Sequence, residues 1–225
     1  MQKGKKFFNI IIIITVIALI SVITYIAYYY ISNYISLKEA EKAVEEFENE
    51  VIVVAIEDEE VQENIQNEVN TQQTPQETQK PQTTTSNKTT SKVSYKGYSM
   101  IGTIQIPKTN VKAPIVDKVT TSSITSAAAV LYGPGLNKVG NTVIVAHNYR
   151  NGTFFSNNKK LIVGDKVYIT DITGKKVEYT IYKTYLTGEM DFEYATRNTK
   201  GKREISLSTC TTDPTKRLVI WAKES

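Results

Sequence analysis

The sequence has a single cysteine, Cys210, and a single histidine, His147, among its 225 residues. One cysteine cannot form an intramolecular disulfide, and one cysteine with one histidine is too few side chains for a zinc site. The acidic residues that would supply other metal ligands are dispersed along the second half of the chain: Asp117, Asp165, Asp171, Asp191 and Glu193. The sequence therefore predicts no metal and no cofactor, and any thiol chemistry that requires an imidazole must use Cys210 and His147.

Charged residues are absent from Phe7 to Leu37, and residues 10–31 are almost wholly apolar. A helix rises ~1.5 Å per residue, so about 20 such residues cross the hydrocarbon core of a bilayer. A cleaved signal peptide is the alternative, but its apolar region usually has only about 7–15 residues. The run continues here into three consecutive tyrosines, residues 28–30, which suit a membrane interface. The sequence therefore favours an uncleaved transmembrane anchor over residues 7–35.

The charges on either side of the anchor predict its orientation. Lys3, Lys5 and Lys6 lie in a basic tail, residues 1–6, and acidic residues follow the anchor. An excess of basic residues beside a membrane helix is typical of its cytoplasmic end. We therefore expect a single-pass protein of the cell membrane, with a cytoplasmic N-terminus, contact with membrane lipid through the anchor, and an extracellular remainder.

The segment after the anchor is acidic, and the one after that is polar. Residues 38–70 contain twelve acidic and two basic residues, a net charge of −10. Four apolar residues recur there at helical spacing: Val44, Phe47, Val51 and Val54. The spacing permits an amphipathic helix, but the excess of acid favours a solvated helical stalk over residues 36–70. Residues 71–97 are rich in Thr, Gln and Ser and include Pro75 and Pro81, which predicts a disordered linker.

From residue 98 to residue 225 the sequence changes to short strand patterns separated by turn residues. The segment Ile172 to Lys175 separates two of these patterns and is typical of a hairpin turn. Short helices are expected within residues 122–129 and 153–161. Seven or eight short strands with few helices predict an all-β domain, and the spacing alone permits either a barrel or a sandwich.

The C-terminal run from Ile205 to Ile220 reads as strand, short loop, strand, because Pro214 and its neighbours interrupt two apolar-alternating segments. If the two strands pair directly, antiparallel geometry places Cys210 and Arg217 at the same end of the sheet. His147 ends another predicted strand. If the two strand ends meet at one rim, the thiol, the imidazole and the guanidinium lie close enough to act on one substrate.

These residues carry a resemblance to a known family. The run Leu207-Ser208-Thr209-Cys210, followed by Arg217, resembles the Leu-x-Thr-Cys…Arg signature of the sortases, transpeptidases that attach proteins to the Gram-positive cell wall. The segment from Tyr132 to His147 is similar to the sortase strand that carries the histidine. The motifs agree in order, and the resemblance covers roughly residues 98–225. It implies that this domain is the closed eight-stranded β-barrel of the family, with short helices.

The resemblance also implies an activity. Cys210 would attack a peptide carbonyl and hold the acyl group as a thioester, His147 would exchange protons with the two amines, and Arg217 would hold the oxyanion or the substrate backbone. Thr209 and Ser208 are weaker candidates for substrate binding. The implied donor is a protein with a Leu-Pro-x-Thr-Gly-like (LPxTG-like) sorting signal, and the implied acceptor is a peptidoglycan-precursor or pilin amine.

The resemblance leaves the subclass open. The segment from His147 to Phe155 looks most like class B enzymes. Only six residues separate Cys210 from Arg217, and this compact hairpin looks closer to class D. The preferred sorting signal is therefore open as well.

Two other readings of the same residues compete with a sortase. A lone cysteine in a strand is usually a small buried apolar residue, so the domain could be a non-catalytic, surface-exposed β-barrel that binds or adheres. An L,D-transpeptidase is the other alternative, but its His-Gly-Cys-type motif is missing around Cys210. Residues 98–225 contain eighteen basic and ten acidic residues, a net charge of +8. This charge suits an anionic wall polymer or lipid headgroups, and no nucleic acid is expected for an external domain.

Overall fold

The computed structural model describes the backbone of residues 2–69 and 93–225, and the side chains of residues 8–51 and 93–225. The predicted linker, residues 71–97, lies outside these residues as far as residue 92. Its described part is not disordered as predicted, because Ser94–Tyr95 form a strand and Tyr95 is buried. The side chains of the predicted basic tail and of the distal half of the predicted stalk also lie outside them.

The first of two compact units, Met1–Glu39, is the N-terminal part of one long helix, α1 (Gln2–Val69). The large apolar side chains of residues 8–37 are exposed. Within the described part of the chain, α1 is the one helix long and apolar enough to cross a membrane. A helix satisfies its own backbone hydrogen bonds and can therefore cross a lipid bilayer. The exposed apolar side chains of this helix suit contact with lipid. The helix therefore indicates a single-pass membrane anchor.

The second unit, Ala40–Ser225, contains strands and short 3₁₀ helices in addition to the continuation of α1. The strands are β1 (Ser94–Tyr95), β2 (Tyr98–Ile106), β3 (Val111–Val116), β4 (Ala128–Tyr132), β5 (Gly140–Val145), β6 (Lys166–Asp171), β7 (Lys176–Gly188), β8 (Arg203–Cys210) and β9 (Lys216–Glu224). The 3₁₀ helices are Pro107–Thr109, Ser123–Thr125 and Asn158–Lys160.

Strands β2 to β9 form a closed barrel. Their order around the barrel is β2-β3-β4-β5-β8-β9-β7-β6, and β6 pairs back onto β2. The β3–β4 and β5–β8 pairs are parallel and the other pairs are antiparallel. The predicted eight-stranded barrel is confirmed, and the pairing of β6 with β2 is what excludes a sandwich. The predicted hairpin between β6 and β7 is confirmed as well.

Alternating side chains divide each strand between the barrel interior and its outer face. On β8, Ile205 and Leu207 are buried in the main core with residues of the other strands. By the same alternation, Ser206, Ser208 and Cys210 lie on the outer face of β8. The chemistry-bearing side chains of this strand therefore belong to the outside of the barrel and not to its core.

The short helices contain fewer residues than the sequence predicts. In the two predicted regions, only Ser123–Thr125 and Asn158–Lys160 are helical, each as a single 3₁₀ turn. Ala128 and Ala129 belong instead to β4, where they are buried and pair in parallel with β3. Alanine favours helix in isolation, but burial and strand pairing outweigh that preference here.

Residues 40–51 of α1 pack against the barrel as part of the second unit. The helix contributes four buried side chains to this contact: Ala40, Val44, Phe47 and Val51. They meet buried side chains of the barrel and its connections: Tyr95, Met100, Val116, Ala127 and Ala129. The acidic composition of this segment predicts a solvated stalk. The structure differs because the apolar residues form one stripe on the helix, and this stripe covers an apolar patch outside the barrel core.

Polar contacts also join the helix to the barrel. The Glu48 carboxylate accepts hydrogen bonds from Thr103 Oγ1 at 3.2 Å and from Gln105 Nε2 at 2.9 Å. One turn further along the helix, Val51 lies against Gly174 in the β6–β7 turn, where φ is +81° and an added Cβ would come within 2.8 Å of Val51 Cγ1. Glycine at this position therefore serves both the turn and the close approach of the helix.

Candidate active site

The thiol and the guanidinium lie opposite each other at the open end of the β8–β9 hairpin. Cys210 and Arg217 are directly paired residues of the two antiparallel strands. Cys210 is a free and exposed cysteine. Neighbouring residues in an antiparallel pair have Cβ atoms about 4.5–5.5 Å apart, so one ligand can contact both side chains. The hairpin therefore has the geometry that the sequence predicts.

The parallel pairing of β5 with β8 brings the histidine to the same end of the sheet. Val145 pairs with Ser208, and His147 follows Val145 by two residues just as Cys210 follows Ser208. Beyond the paired residues, the Asn148 side chain donates a hydrogen bond from Nδ2 to the carbonyl oxygen of Cys210 at 2.9 Å. This bond ties the loop that carries His147 to the backbone of Cys210.

His147, Cys210 and Arg217 line one cavity, which we call the small cavity, with a volume of about 180 Å³. Much of the rest of its lining is apolar or aromatic: Ile124, Leu131, Val145, Ala146, Phe192 and Tyr194. The structure thus brings the three predicted catalytic side chains to a single concave surface that also offers an apolar subsite.

Arg217 is held at the rim of the small cavity by three contacts. Its Nη1 donates hydrogen bonds to the carbonyl oxygens of Pro214 at 2.9 Å and Lys216 at 3.2 Å. Its Nη2 lies 3.4 Å from Glu189 Oε2. These contacts leave guanidinium donors for a ligand, since the group carries five N–H bonds. The sequence reading missed Glu189, because nothing local marks a residue so far along the chain as the partner of Arg217.

His147 is partly shielded from water. Its ring packs against the Tyr149 ring, with 4.9 Å between centroids. Burial lowers the pKa of His147 below its ordinary value of 6.5, because the charged imidazolium loses hydration. At neutral pH the imidazole is therefore mainly neutral and can accept a proton.

The two predicted substrate-binding residues line the small cavity, but their hydroxyl groups already have partners. Thr209 is buried and donates from Oγ1 to the carbonyl oxygen of Ala146 at 2.8 Å. Ser208 is buried and its hydroxyl lies 3.3 Å from the Tyr194 hydroxyl, which donates to it. In the structure both hydroxyls hold neighbouring segments together, and their contact with substrate is still a prediction.

The connection between β7 and β8 crosses the outer face of the sheet and forms one wall of the small cavity. Tyr194 and Ala195 of this connection are buried against Val143 on β5 and Val219 on β9. The Asn141 side chain donates from Nδ2 to the carbonyl oxygens of Tyr194 at 2.9 Å and Ala195 at 3.0 Å. This anchoring holds the wall that carries Phe192 and Glu189.

Arg197 fixes the same connection further along. Its Nη2 lies 2.8 Å from Glu204 Oε2, and both side chains are only 11% exposed. Its Nη1 donates to Ser206 Oγ at 2.6 Å, and the guanidinium lies 4.6 Å from the Trp221 ring centroid. A buried guanidinium with a full set of partners orders the segment around it. The sequence reading missed Arg197 and Asn141, whose partners depend on strand register.

A second cavity also reaches the nucleophile. This large cavity has a volume of about 370 Å³ and shares only Thr209 and Cys210 with the small cavity. Its polar lining includes Asn148, Arg150, Ser156 and Lys159, and its apolar lining includes Phe155 and Leu218. Cys210 therefore stands where two cavities of different character meet.

Comparison with known protein families and structures identifies the proteins that this chain is similar to. The family model described as the Sortase domain matches residues 104–225. A lid mutant of sortase A from Corynebacterium diphtheriae is 25% identical, with a TM-score of 0.52 over 57% of this chain and 71% of that one. The pilus-related sortase C of Group B Streptococcus is 30% identical, with a TM-score of 0.52 over 56% and 67%.

A further similar structure belongs to another class of the same family. A sortase D transpeptidase from Clostridium perfringens is 26% identical, with a TM-score of 0.51 over 56% of this chain and 79% of that one. A comparison with curated protein sequences found no match. The region that the family model matches, residues 104–225, includes Cys210, His147 and Arg217.

Proposed function

The chain belongs to the sortase family of cysteine transpeptidases, and on that premise we propose that it cleaves an LPxTG-like sorting signal and transfers the acyl group to a cell-wall or pilin amine. The observation that carries the proposal is the convergence of Cys210, His147 and Arg217 on the small cavity. An adhesin would have no need to bring a free thiol, an imidazole and a guanidinium to one exposed concave surface. We assign the catalytic roles to these three residues.

The first half of the reaction forms the thioester. Cys210 Sγ attacks the carbonyl carbon of the threonine in the sorting signal, and the neutral imidazole of His147 takes the thiol proton. The tetrahedral intermediate collapses as the carbon–nitrogen bond breaks. The imidazolium then gives its proton to the departing amine, and the acyl group remains on sulfur.

The second half transfers the acyl group. The acceptor amine attacks the thioester carbon and gives a proton to His147, the carbon–sulfur bond breaks, and the thiolate leaves. In both halves negative charge develops on the carbonyl oxygen. Arg217, a permanent cation with a planar donor fork, stabilises that oxygen or holds the substrate backbone beside it.

The lining of the small cavity supports the proposed donor. A Leu-Pro-x-Thr-Gly-like segment presents two apolar residues before the bond that is cleaved. Ile124, Leu131 and Phe192 offer apolar surface in the same cavity as the nucleophile. The apolar part of the donor binds there, and its threonine carbonyl lies between Cys210 and Arg217.

The proposal includes a location. The apolar part of α1 anchors the protein in the cell membrane through residues 7–35, and the basic residues before it keep the N-terminus in the cytoplasm. The catalytic barrel is therefore extracellular, where sorting-signal proteins and wall precursors meet it.

Mass spectrometry on the full chain in detergent micelles tests the proposal. The protein is mixed with a panel of LPxTG-like peptides and an amine, and we expect a thioester adduct, a cleaved peptide and a transpeptidation product. Cys210→Ala abolishes all three. His147→Ala and Arg217→Ala each lower kcat/KM by about 10²–10³-fold, as loss of a general acid–base or of an oxyanion donor does.

The control is the unfolding transition of each variant, which must match that of the unsubstituted chain. A folded protein that cleaves none of the peptides would contradict the proposed donor and favour a binding domain. Cleavage that survives Cys210→Ala would contradict the assignment of the nucleophile.

A further inference from the structure

Acyl transfer places two substrates at one sulfur in succession, and the structure has two cavities there. The acyl chain is still attached to Cys210 when the acceptor arrives, so the acceptor needs a separate volume that also reaches the sulfur. The small cavity has the apolar surface that suits the donor. The large cavity, at about 370 Å³, falls within the size range of small-ligand sites and shares Cys210 with the small one.

The charged side chains that line the large cavity are basic. Apart from Cys210, its titratable lining residues are Arg150 and Lys159, and none of the described residues that line it carries a carboxylate. Within the described part of the chain, neither cation has an ion pair at its side chain. An anionic ligand group in this cavity would therefore meet two cations without displacing a protein carboxylate.

The backbone around Arg150 is tied to the nucleophile by one side chain. Asn148 Oδ1 accepts a hydrogen bond from the Arg150 backbone N–H at 3.1 Å, and Asn148 Nδ2 donates to the Cys210 carbonyl oxygen at 2.9 Å. Arg150 itself has a φ of +59°, a conformation that few residues other than glycine adopt. The loop thus places a cation beside the thiol in a turn that Asn148 stabilises.

The large cavity also holds a polar group without a partner. Ser156 is 5% exposed, lines the cavity, and its hydroxyl has no hydrogen-bond partner among the described residues. A buried hydroxyl without a partner is unfavourable relative to a hydrogen-bonded one, because it has lost its hydration. A ligand with hydrogen-bonding groups in this cavity would remove that cost.

From the cavity, its charge and the unpartnered hydroxyl, we propose that the large cavity binds the acceptor and that this acceptor carries a free carboxylate near its amine, bound by Arg150 and Lys159. The inference rests on the proposed transpeptidase function. It identifies the acceptor class as an amino acid or peptide with an amine and a free carboxylate, as opposed to a neutral amine. The attacking nitrogen reaches Cys210 and His147 while the carboxylate lies on the two cations.

Competition between water and the acceptor for the thioester tests the proposal in the full chain in detergent micelles. The acceptors are oligoglycines of one to three residues, each as the free acid and as its C-terminal amide. The measured quantity is the ratio of transpeptidation product to hydrolysis product, which is normalised to the thioester formed. We expect the best free acid to give a ratio about tenfold above its amide, the factor that a hydrogen bond to a charged group supplies.

The double substitution R150Q and K159Q should reduce that preference to less than about twofold, and high salt should weaken it in the unsubstituted chain. Lys160→Gln is the matched control, because Lys160 is exposed in the same 3₁₀ turn and does not line the cavity. Equal ratios for acid and amide, or a preference that survives the double substitution, would overturn the proposal.

A binding measurement separates this inference from the proposed function. The full chain with Cys210→Ala is titrated with each free acid and each amide, and amide chemical shifts are followed by NMR. We expect the free acid alone to shift the signals of Arg150, Ser156 and Lys159. If no peptide donor is cleaved but these shifts occur, the carboxylate site stands and the proposed function fails. If donors are cleaved but neither ligand shifts these signals, the acceptor site is wrong.

Discussion

At the scale of single residues, the pKa of His147 bears on the pH range of the proposed mechanism. Its ring is half-buried beside Tyr149, and burial lowers its pKa below 6.5. The proton acceptor in the proposed mechanism is the neutral imidazole. Because the folded-state pKa is depressed, the neutral form persists at pH values where an unfolded chain already binds a proton. Folding stability therefore declines as the pH falls through 6.5 towards the folded-state pKa, and below that value no further loss comes from this group.

The single histidine makes this effect directly measurable. Proton NMR of the full chain in detergent micelles contains one set of imidazole signals, and we expect their titration midpoint below 6.5 in the folded protein. In concentrated urea the midpoint should return to about 6.5, the value of an unperturbed histidine. A folded-state midpoint at or above 6.5 would contradict the burial effect and indicate an anionic partner for the ring.

At the scale of elements, residues 40–51 of α1 belong to the same compact unit as the barrel. The family model begins at residue 104, so this helical segment lies outside the matched region. Phe47 and Val44 are fully buried in the contact, and Met100 and Val116 of the barrel are buried beneath them. Without the helix these barrel side chains would be exposed to water, which is unfavourable in proportion to the apolar area.

Substitution of the central contact residue measures the contribution of the helix. We expect Phe47→Ala to lower the free energy of unfolding by about 3–5 kcal/mol, the usual cost of truncating a buried phenylalanine. Denaturant unfolding in detergent micelles, followed by the fluorescence of the single tryptophan, Trp221, reports the change.

Glu45→Ala on the exposed side of the same helical turn is the control and should change that free energy by less than about 0.5 kcal/mol. If Phe47→Ala were as mild as this control, the helix would contribute little to the stability of the barrel.

At the scale of the whole molecule, one membrane helix and one cysteine allow the proposed topology to be tested without introducing a reporter. The only thiol is the exposed Cys210 of the barrel. In intact cells, a membrane-impermeant thiol reagent should modify the chain, since we place the barrel outside. The Cys210→Ala chain should not be modified. Modification that requires permeabilised cells would place the barrel in the cytoplasm and contradict the proposed orientation.

Much of the active site could be predicted from the sequence because its parts are local. The pattern around Cys210 specifies a strand, a turn and a second strand, and an antiparallel hairpin has few possible registers. The position of Arg217 beside Cys210 can therefore be predicted from the sequence. The roles of Glu189 and Arg197 cannot be predicted in this way, because their partners depend on the path of the β7–β8 connection over the sheet. No local pattern encodes that path.

The sequence by itself determined that one thiol and one imidazole are available, that the N-terminal segment is apolar enough to span a membrane, and that residues 98–225 fold as short strands. These conclusions depend on residue identity and on short periodicities. Only the tertiary structure decided that β6 closes the barrel onto β2, that residues 40–51 pack on it, and that two cavities meet at Cys210. Those features arise from contacts between residues far apart in the chain, whose energies depend on packing and register. A local pattern, such as the apolar spacing from Val44 to Val51, permits such a contact but does not identify its partner.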